Sequence, residues 1–248
     1  MASGNDSSAL SVLRSAAPAS LRRAAGEAFP PLYQTFRAVS GWVLRGLFDL
    51  RVHGAEYLPM SGSFILAANH HNYLDGVVLG VAVPRPISFL VMPRVFRATP
   101  LHPPFHRRIG SIPVNLERPD PGAIKRVLRV LEDGRVVGIF PEGPFSHEGR
   151  LVRGQPGAAM IALRAGVPIV PAAIAGTYEA LRARRFYLPR RHPLSVRFGA
   201  PLHFEQPRHR PVARAAREEI TRRIMSEIDA LLRTAPEPAA AAGRAGAS

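Results

Sequence analysis

The chain has no cysteine among its 248 residues, which excludes disulfides and thiolate metal sites. It has one tryptophan, Trp42, and its 33 basic residues include a single lysine, Lys125. Acidic residues number only 18, so the formal net charge is +15. An excess of that size favours anionic partners, whether nucleic acid, anionic lipid headgroups or phosphorylated substrates. No zinc-ligand spacing, aromatic RNA-binding signature or helix-turn-helix pattern occurs, so nucleic acid is not expected as a partner. No stretch reaches the roughly 18 to 20 apolar residues of a spanning helix. The N-terminus has neither a continuous apolar run nor an obvious cleavage site, so no secretory signal is expected. The expectation is a protein held peripherally on the cytoplasmic face of a membrane, without a spanning helix.

What is present is an α/β pattern in a length ample for one domain. Short apolar runs at Phe64 to Ala68, Ile87 to Met92, Val136 to Phe140 and Val167 to Ile174 read as buried strands. Helical spacing separates them: Val77 to Val81, then Ile124, Val127, Leu128 and Leu131 behind an Asp120-Pro121 start, then Gly157 to Arg164. The prolines at 168 and 171 suit a strand start or a bulge better than a central ladder. A closing helix over 212 to 232 carries Ile220, Ile224, Ile228 and Leu231 on one face. The expected architecture is a single domain with a mixed, largely parallel central sheet flanked by helices, spanning 51 to 234. Ahead of it, 31 to 50 reads as an amphipathic helix whose Trp42, Arg37 and Arg45 suit a headgroup layer as well as a protein surface. Residues 1 to 30 read as disordered or weakly helical, and 235 to 248 as a disordered tail.

The chemistry concentrates in Asn69-His70-His71-Asn72-Tyr73-Leu74-Asp75-Gly76, a polar cluster between a strand and a helix. A histidine beside a carboxylate is the commonest device for taking a proton from a hydroxyl near neutral pH. In a continuous helix His71 and Asp75, four apart, would share a face. His70 meets Asp75 only if it precedes the helix on a backbone that turns back. A second carboxylate, Glu142 beside Gly143, follows the buried strand at 136 to 140, a favoured ligand position in α/β sheets.

Taken in order, Asn69-His70-x4-Asp75, Gly110-Ser111-Ile112-Pro113-Val114, Phe140-Pro141-Glu142-Gly143 and Val167-Pro168-Ile169-Val170-Pro171 resemble the glycerolipid acyltransferase family. That family is typified by bacterial 1-acyl-glycerol-3-phosphate acyltransferase, and the resemblance covers roughly residues 50 to 205. His71-x3-Asp75-Gly76 also matches the signature of condensation and chloramphenicol acetyltransferase-type enzymes, but those lack the downstream Phe-Pro-Glu-Gly block. The resemblance implies His70 as general base and Asp75 as its orienting carboxylate. It implies a lysolipid acceptor, acyl-CoA or acyl carrier protein as donor, an anionic membrane surface as partner, and neither cofactor nor metal. Asn69, Asn72, Gly110, Arg118, Glu142, Gly143, Arg150 and Arg153 are the expected substrate contacts. The chain departs from the family pattern twice. Asn115-Leu116-Glu117 stand before Arg118, and Pro144-Phe145-Ser146 replace the usual Thr-Arg-Ser, so a motif arginine is missing. Phe cannot replace a bidentate guanidinium, which leaves Arg118, Arg150 or Arg153 to compensate. It also leaves open another lysolipid or an amino-lipid as acceptor, or a non-catalytic membrane-binding module.

Overall fold

A computed structural model describes residues 30–115, 118, 120–143, 149–181, 189–205 and 213–234. Apart from Pro30, the segments expected to be disordered lie outside the described residues, as do Leu116, Glu117 and Pro144 to Ser146. The elements run α1 (Pro31–Phe48), β1 (Arg51–His53), a 3-10 turn (Ala55–Tyr57), β2 (Phe64–Ala68), α2 (Leu74–Ala82), β3 (Ile87–Val91) and α3 (Pro93–Phe96). They continue with α4 (His102–Arg108), β4 (Ile112–Pro113), α5 (Pro121–Glu132), β5 (Val136–Ile139), α6 (Gly157–Ala165), β6 (Ile169–Ala175), α7 (Thr177–Ala180), β7 (Ser195–Phe198) and α8 (Arg214–Thr234).

The seven strands form one sheet in the order β1-β7-β6-β2-β5-β3-β4. Every neighbouring pair is parallel except β6 with β7. Alternation along β2 divides the core. Phe64, Leu66 and Ala68 face α1 and α2 on one side, and Ile65 and Ala67 face α5, α6 and α8 on the other. Both sides of the sheet are therefore covered by helices, as a parallel sheet requires. The helix ends follow local chemistry. Asp120 caps α5 by accepting from the Ala123 amide at 2.8 Å, and Gly166, at φ 66°, closes α6 in the left-handed conformation. Helix α1 docks Leu44 and Phe48 into the same core as α2 and the sheet.

The prolines fall where expected: Pro168 lies just ahead of β6, and Pro171 lies at a bulge, since the contacts 169–202 and 171–199 are two residues apart on β6 and three apart opposite. Pro171 is tolerated because β7 ends at its level. Its carbonyl still accepts from Gly199, and the next contact on that side is the isolated bridge between Ile169 and Leu202.

Candidate active site

Ladder partners Ala67 of β2 and Ile139 of β5 bring the C-terminal ends of these adjacent parallel strands level. The residues that follow them, 69 to 73 and 140 to 143, form the mouth of the site. Helix α2 starts only at Leu74, so His70 lies in the turn before it and the i,i+4 argument for His71 does not apply. Asp75, second in the helix, reaches back. Its fully buried Oδ2 accepts from His70 Nδ1 at 2.9 Å, from the His71 amide at 2.7 Å and from the Asn72 amide at 2.8 Å. One oxygen thus fixes the turn and the imidazole together, at a helix end whose dipole favours negative charge. An oxygen with two amide donors is an acceptor towards the ring as well. His70 therefore carries its proton on Nδ1, and Nε2 is the basic nitrogen.

His71 is built differently. Its buried Nε2 accepts from Asn69 Nδ2 at 3.2 Å, and its ring meets Tyr178 edge-on at 5.8 Å. The orientation of the Asn69 amide is fixed by Ile174 of β6, whose carbonyl takes Nδ2 at 2.9 Å and whose amide gives to Oδ1 at 2.7 Å. Asn69, fully buried, is thus a strut from β2 to β6. Asn72 is tied in a similar way: its Nδ2 donates to the Thr177 carbonyl at 2.8 Å and its Oδ1 accepts from the Leu74 amide at 3.0 Å.

Glu142 also turns inward. Oε1 accepts from the His70 amide at 2.7 Å and Oε2 from the Val152 amide at 2.9 Å. Burial pushes its carboxyl above the usual range, against the opposing pull of those two amides. Both oxygens brace the scaffold, holding the His70 turn and the chain around Val152. Gly143 adopts φ 81°, and a Cβ there would lie 2.6 Å from Gln155 Nε2, so glycine is what lets the turn close. Gly110 is not at this end of the sheet. It packs against Arg135 and Ser88; Ser88 pairs with Val137 and Val137 with Ile65, five residues and about 16 Å of strand before His70. Arg118, Arg150 and Arg153 are exposed. Arg118 follows β4, whose end points the same way as β2, while Arg150 and Arg153 flank the Val152 braced by Glu142.

One neighbour of His70 escaped the sequence. Phe140 stacks on the imidazole with ring centroids 3.7 Å apart and planes 7° from parallel. Its position after a buried strand was visible, but nothing in the sequence said which ring it would cover. A histidine–carboxylate pair thus stands beyond the C-terminal ends of the parallel strands, where α/β sheets bind their ligands.

The comparisons identify the family. A family model described as Acyltransferase matches residues 49–175. The chain is 31% identical over 169 residues to 1-acyl-sn-glycerol-3-phosphate acyltransferase of Bacillus subtilis, covering 68% of this chain and 80% of that protein. It is 30% identical over 135 residues to the chloroplastic acyltransferase LPAT1 of Arabidopsis thaliana, covering 52% of this chain and 37% of that one. The crystal structure of the 1-acyl-sn-glycerophosphate acyltransferase PlsC from Thermotoga maritima superposes with a TM-score of 0.62, covering 90% of this chain and 89% of that one; at 21% identity this likeness concerns the fold. The chain belongs to the acyltransferase family, as an O-acyltransferase like those acting on 1-acylglycerol-3-phosphate.

Proposed function

We propose that this enzyme moves a fatty acyl group from acyl-CoA or acyl carrier protein to the free hydroxyl of 1-acyl-glycerol-3-phosphate, giving phosphatidic acid. The observation that carries the reading is the 2.9 Å contact between His70 Nδ1 and Asp75 Oδ2, which makes Nε2 a base facing the mouth of the site. His70 Nε2 takes the hydroxyl proton while the oxygen attacks the thioester carbonyl. The C–O bond forms, the C–S bond breaks, and the departing sulfur takes the proton from the imidazolium that Asp75 has stabilised. The transfer is direct, so it needs neither an acyl-enzyme nor a metal or cofactor. The acceptor is supported by the names of the relatives and by Arg118, Arg150 and Arg153, which supply positive charge at this end of the sheet for a phosphate.

The substrate is a lipid, and the surface suits one. Helix α1 buries Tyr33, Gly41, Leu44 and Phe48. Leu32, Val39 and Trp42 lie on the opposite side, with Trp42 77% exposed. Phe36 of α1 meets Phe105 of α4 edge-to-face at 5.6 Å, and the exposed Leu101 lies one turn before Phe105. Arg94, Arg97, Arg107 and Arg108 are exposed in this region, and no acidic residue occurs between Asp75 and Glu117. Apolar side chains among unopposed arginines suit peripheral attachment to an anionic bilayer, on its cytoplasmic face. No helix among the described residues is long and apolar enough to cross a membrane.

The test is release of free thiol from a long-chain acyl thioester, offered as CoA or carrier-protein conjugate, across a panel of lysolipids. Release dependent on 1-acyl-glycerol-3-phosphate and abolished in His70→Ala, with the melting temperature unchanged, is the expected result. Undiminished turnover in His70→Ala would overturn the mechanism, and dependence on another acceptor would overturn the substrate.

A further inference from the structure

The stack on His70 extends beyond one ring. Behind Phe140 lies Phe89 of β3, with centroids 5.9 Å apart and planes again 7° from parallel. Gly138 makes room for it: a Cβ there would come within 2.5 Å of two Phe89 ring carbons and 2.8 Å of Ile87. Gly138 and Phe140 are two apart, and therefore on one face of the β5 strand and its extension. The absence of a side chain at 138 lets Phe89 lie across β5, and Phe89 backs Phe140 against the imidazole.

We propose that Phe140 is a positioning residue for His70, with Phe89 and Gly138 as its support, and that its face stabilises the imidazolium formed as the hydroxyl proton is taken. This rests on His70 being the base of the acyl transfer. Two observations carry it. Asp75 meets the ring edge at Nδ1, and the Phe140 ring, parallel with its centroid 3.7 Å away, covers the ring face and restricts rotation about that contact. The geometry also differs from what two neutral aromatic rings prefer, which is an offset or edge-on arrangement with centroids about 4.5–7 Å apart. A near-eclipsed pair is instead the arrangement of a cation over a π face. The contact therefore strengthens when His70 gains its proton, and an interaction that strengthens on the way to the transition state raises kcat and leaves KM alone.

The experiment compares Phe140→Leu and Phe140→Tyr with the parent in full-length protein. Each is assayed for kcat and KM with acyl-CoA or acyl carrier protein and lysolipid, and the His70 ring protons are followed by NMR. The leucine variant should lose roughly 5- to 30-fold in kcat with KM changed less than about twofold, and the tyrosine variant should recover most of the loss. The His70 ring protons, shifted upfield by a stacked ring in the parent, should move downfield in the leucine variant and remain upfield in the tyrosine variant. Unchanged kcat in a folded leucine variant, a loss confined to KM, or His70 resonances indifferent to the substitution would each overturn the proposal. If the leucine variant does not fold, Gly138→Ala, which keeps Phe140 and displaces Phe89, must show the same kcat-selective loss, and full activity there overturns it. A parent that transfers no acyl group to any acceptor would sink the acyl-transfer reading itself, and the NMR shifts would still report whether the stack exists.

Discussion

Replacing Glu142 with glutamine separates the charge of this side chain from its shape. In the parent each carboxylate oxygen accepts one backbone amide, from His70 at 2.7 Å and from Val152 at 2.9 Å. Glutamine has one acceptor oxygen, so its NH2 group must face one of those N–H groups. Losing a hydrogen bond to a charged acceptor and stranding a buried amide costs about 1.5–3 kcal/mol, offset in part because no carboxylate remains to be desolvated. The pH dependence tells the two contributions apart. Burial raises the Glu142 carboxyl above its ordinary 4.5 in the folded protein. A raised folded value means that the stabilisation from proton uptake is complete below the unfolded value and is lost as pH rises through the folded one. Glutamine has no such titration. The stability of Glu142→Gln relative to the parent should therefore rise as the pH climbs from about 4.5 through the folded value. Urea midpoints of both proteins across that range, at matched m values, check it. A deficit that grows with pH would show that the two amides outweigh burial, and would refute the reasoning.

Asp75→Asn keeps the shape of the carboxylate but removes the charge that selects the Nδ1–H tautomer; kcat should fall about 10²- to 10⁴-fold with the protein still folded, as read from thiol release and circular dichroism. Asn69→Ala strands the amide and carbonyl of Ile174 and should destabilise by about 2–4 kcal/mol, seen as a lower urea midpoint. Trp42→Ala removes an exposed ring, so stability should be unchanged within about 0.5 kcal/mol while sedimentation with anionic vesicles weakens; raised salt should weaken it further in the parent.

The main strands and long helices were legible because each is a clean local pattern: the polar-free Val136 to Ile139, the Asp120-Pro121 start of α5 and the stripe of α8; the short helices α3 and α4, in a basic, aromatic and proline-containing segment, carry no such pattern. His70 and Asp75 were legible as a pair, but helical spacing alone favoured His71, and only the late start of α2 at Leu74 reverses that. The second layer could not be read. Asn69, Asn72 and Glu142 look like substrate ligands in a motif, yet their partners are backbone groups of Ile174, Thr177 and Val152, which only the sheet order brings near. Gly110 belongs to a motif block, but parallel register sets it about five residues behind the site. Phe140 carries no sequence mark of its ring partner. The prolines at 168 and 171 marked the start and the bulge of β6, but its central place comes from the sheet order, which no local rule reveals.

The struts behind the His70–Asp75 pair also bear on how the protein is made. The Asn69 amide reaches across 105 residues to Ile174, and the His70 amide across 72 to Glu142. A nascent chain exposes the whole His-x4-Asp turn early in synthesis, but the strand that orients it arrives more than a hundred residues later. The turn can form its own Asx-like hydrogen bonds before then, without the geometry that directs Nε2. Competence therefore comes late and all at once, with the pairing of β6 against β2. An incomplete chain that already carries its basic, apolar N-terminal helix could meet a membrane well before it could modify a lipid there.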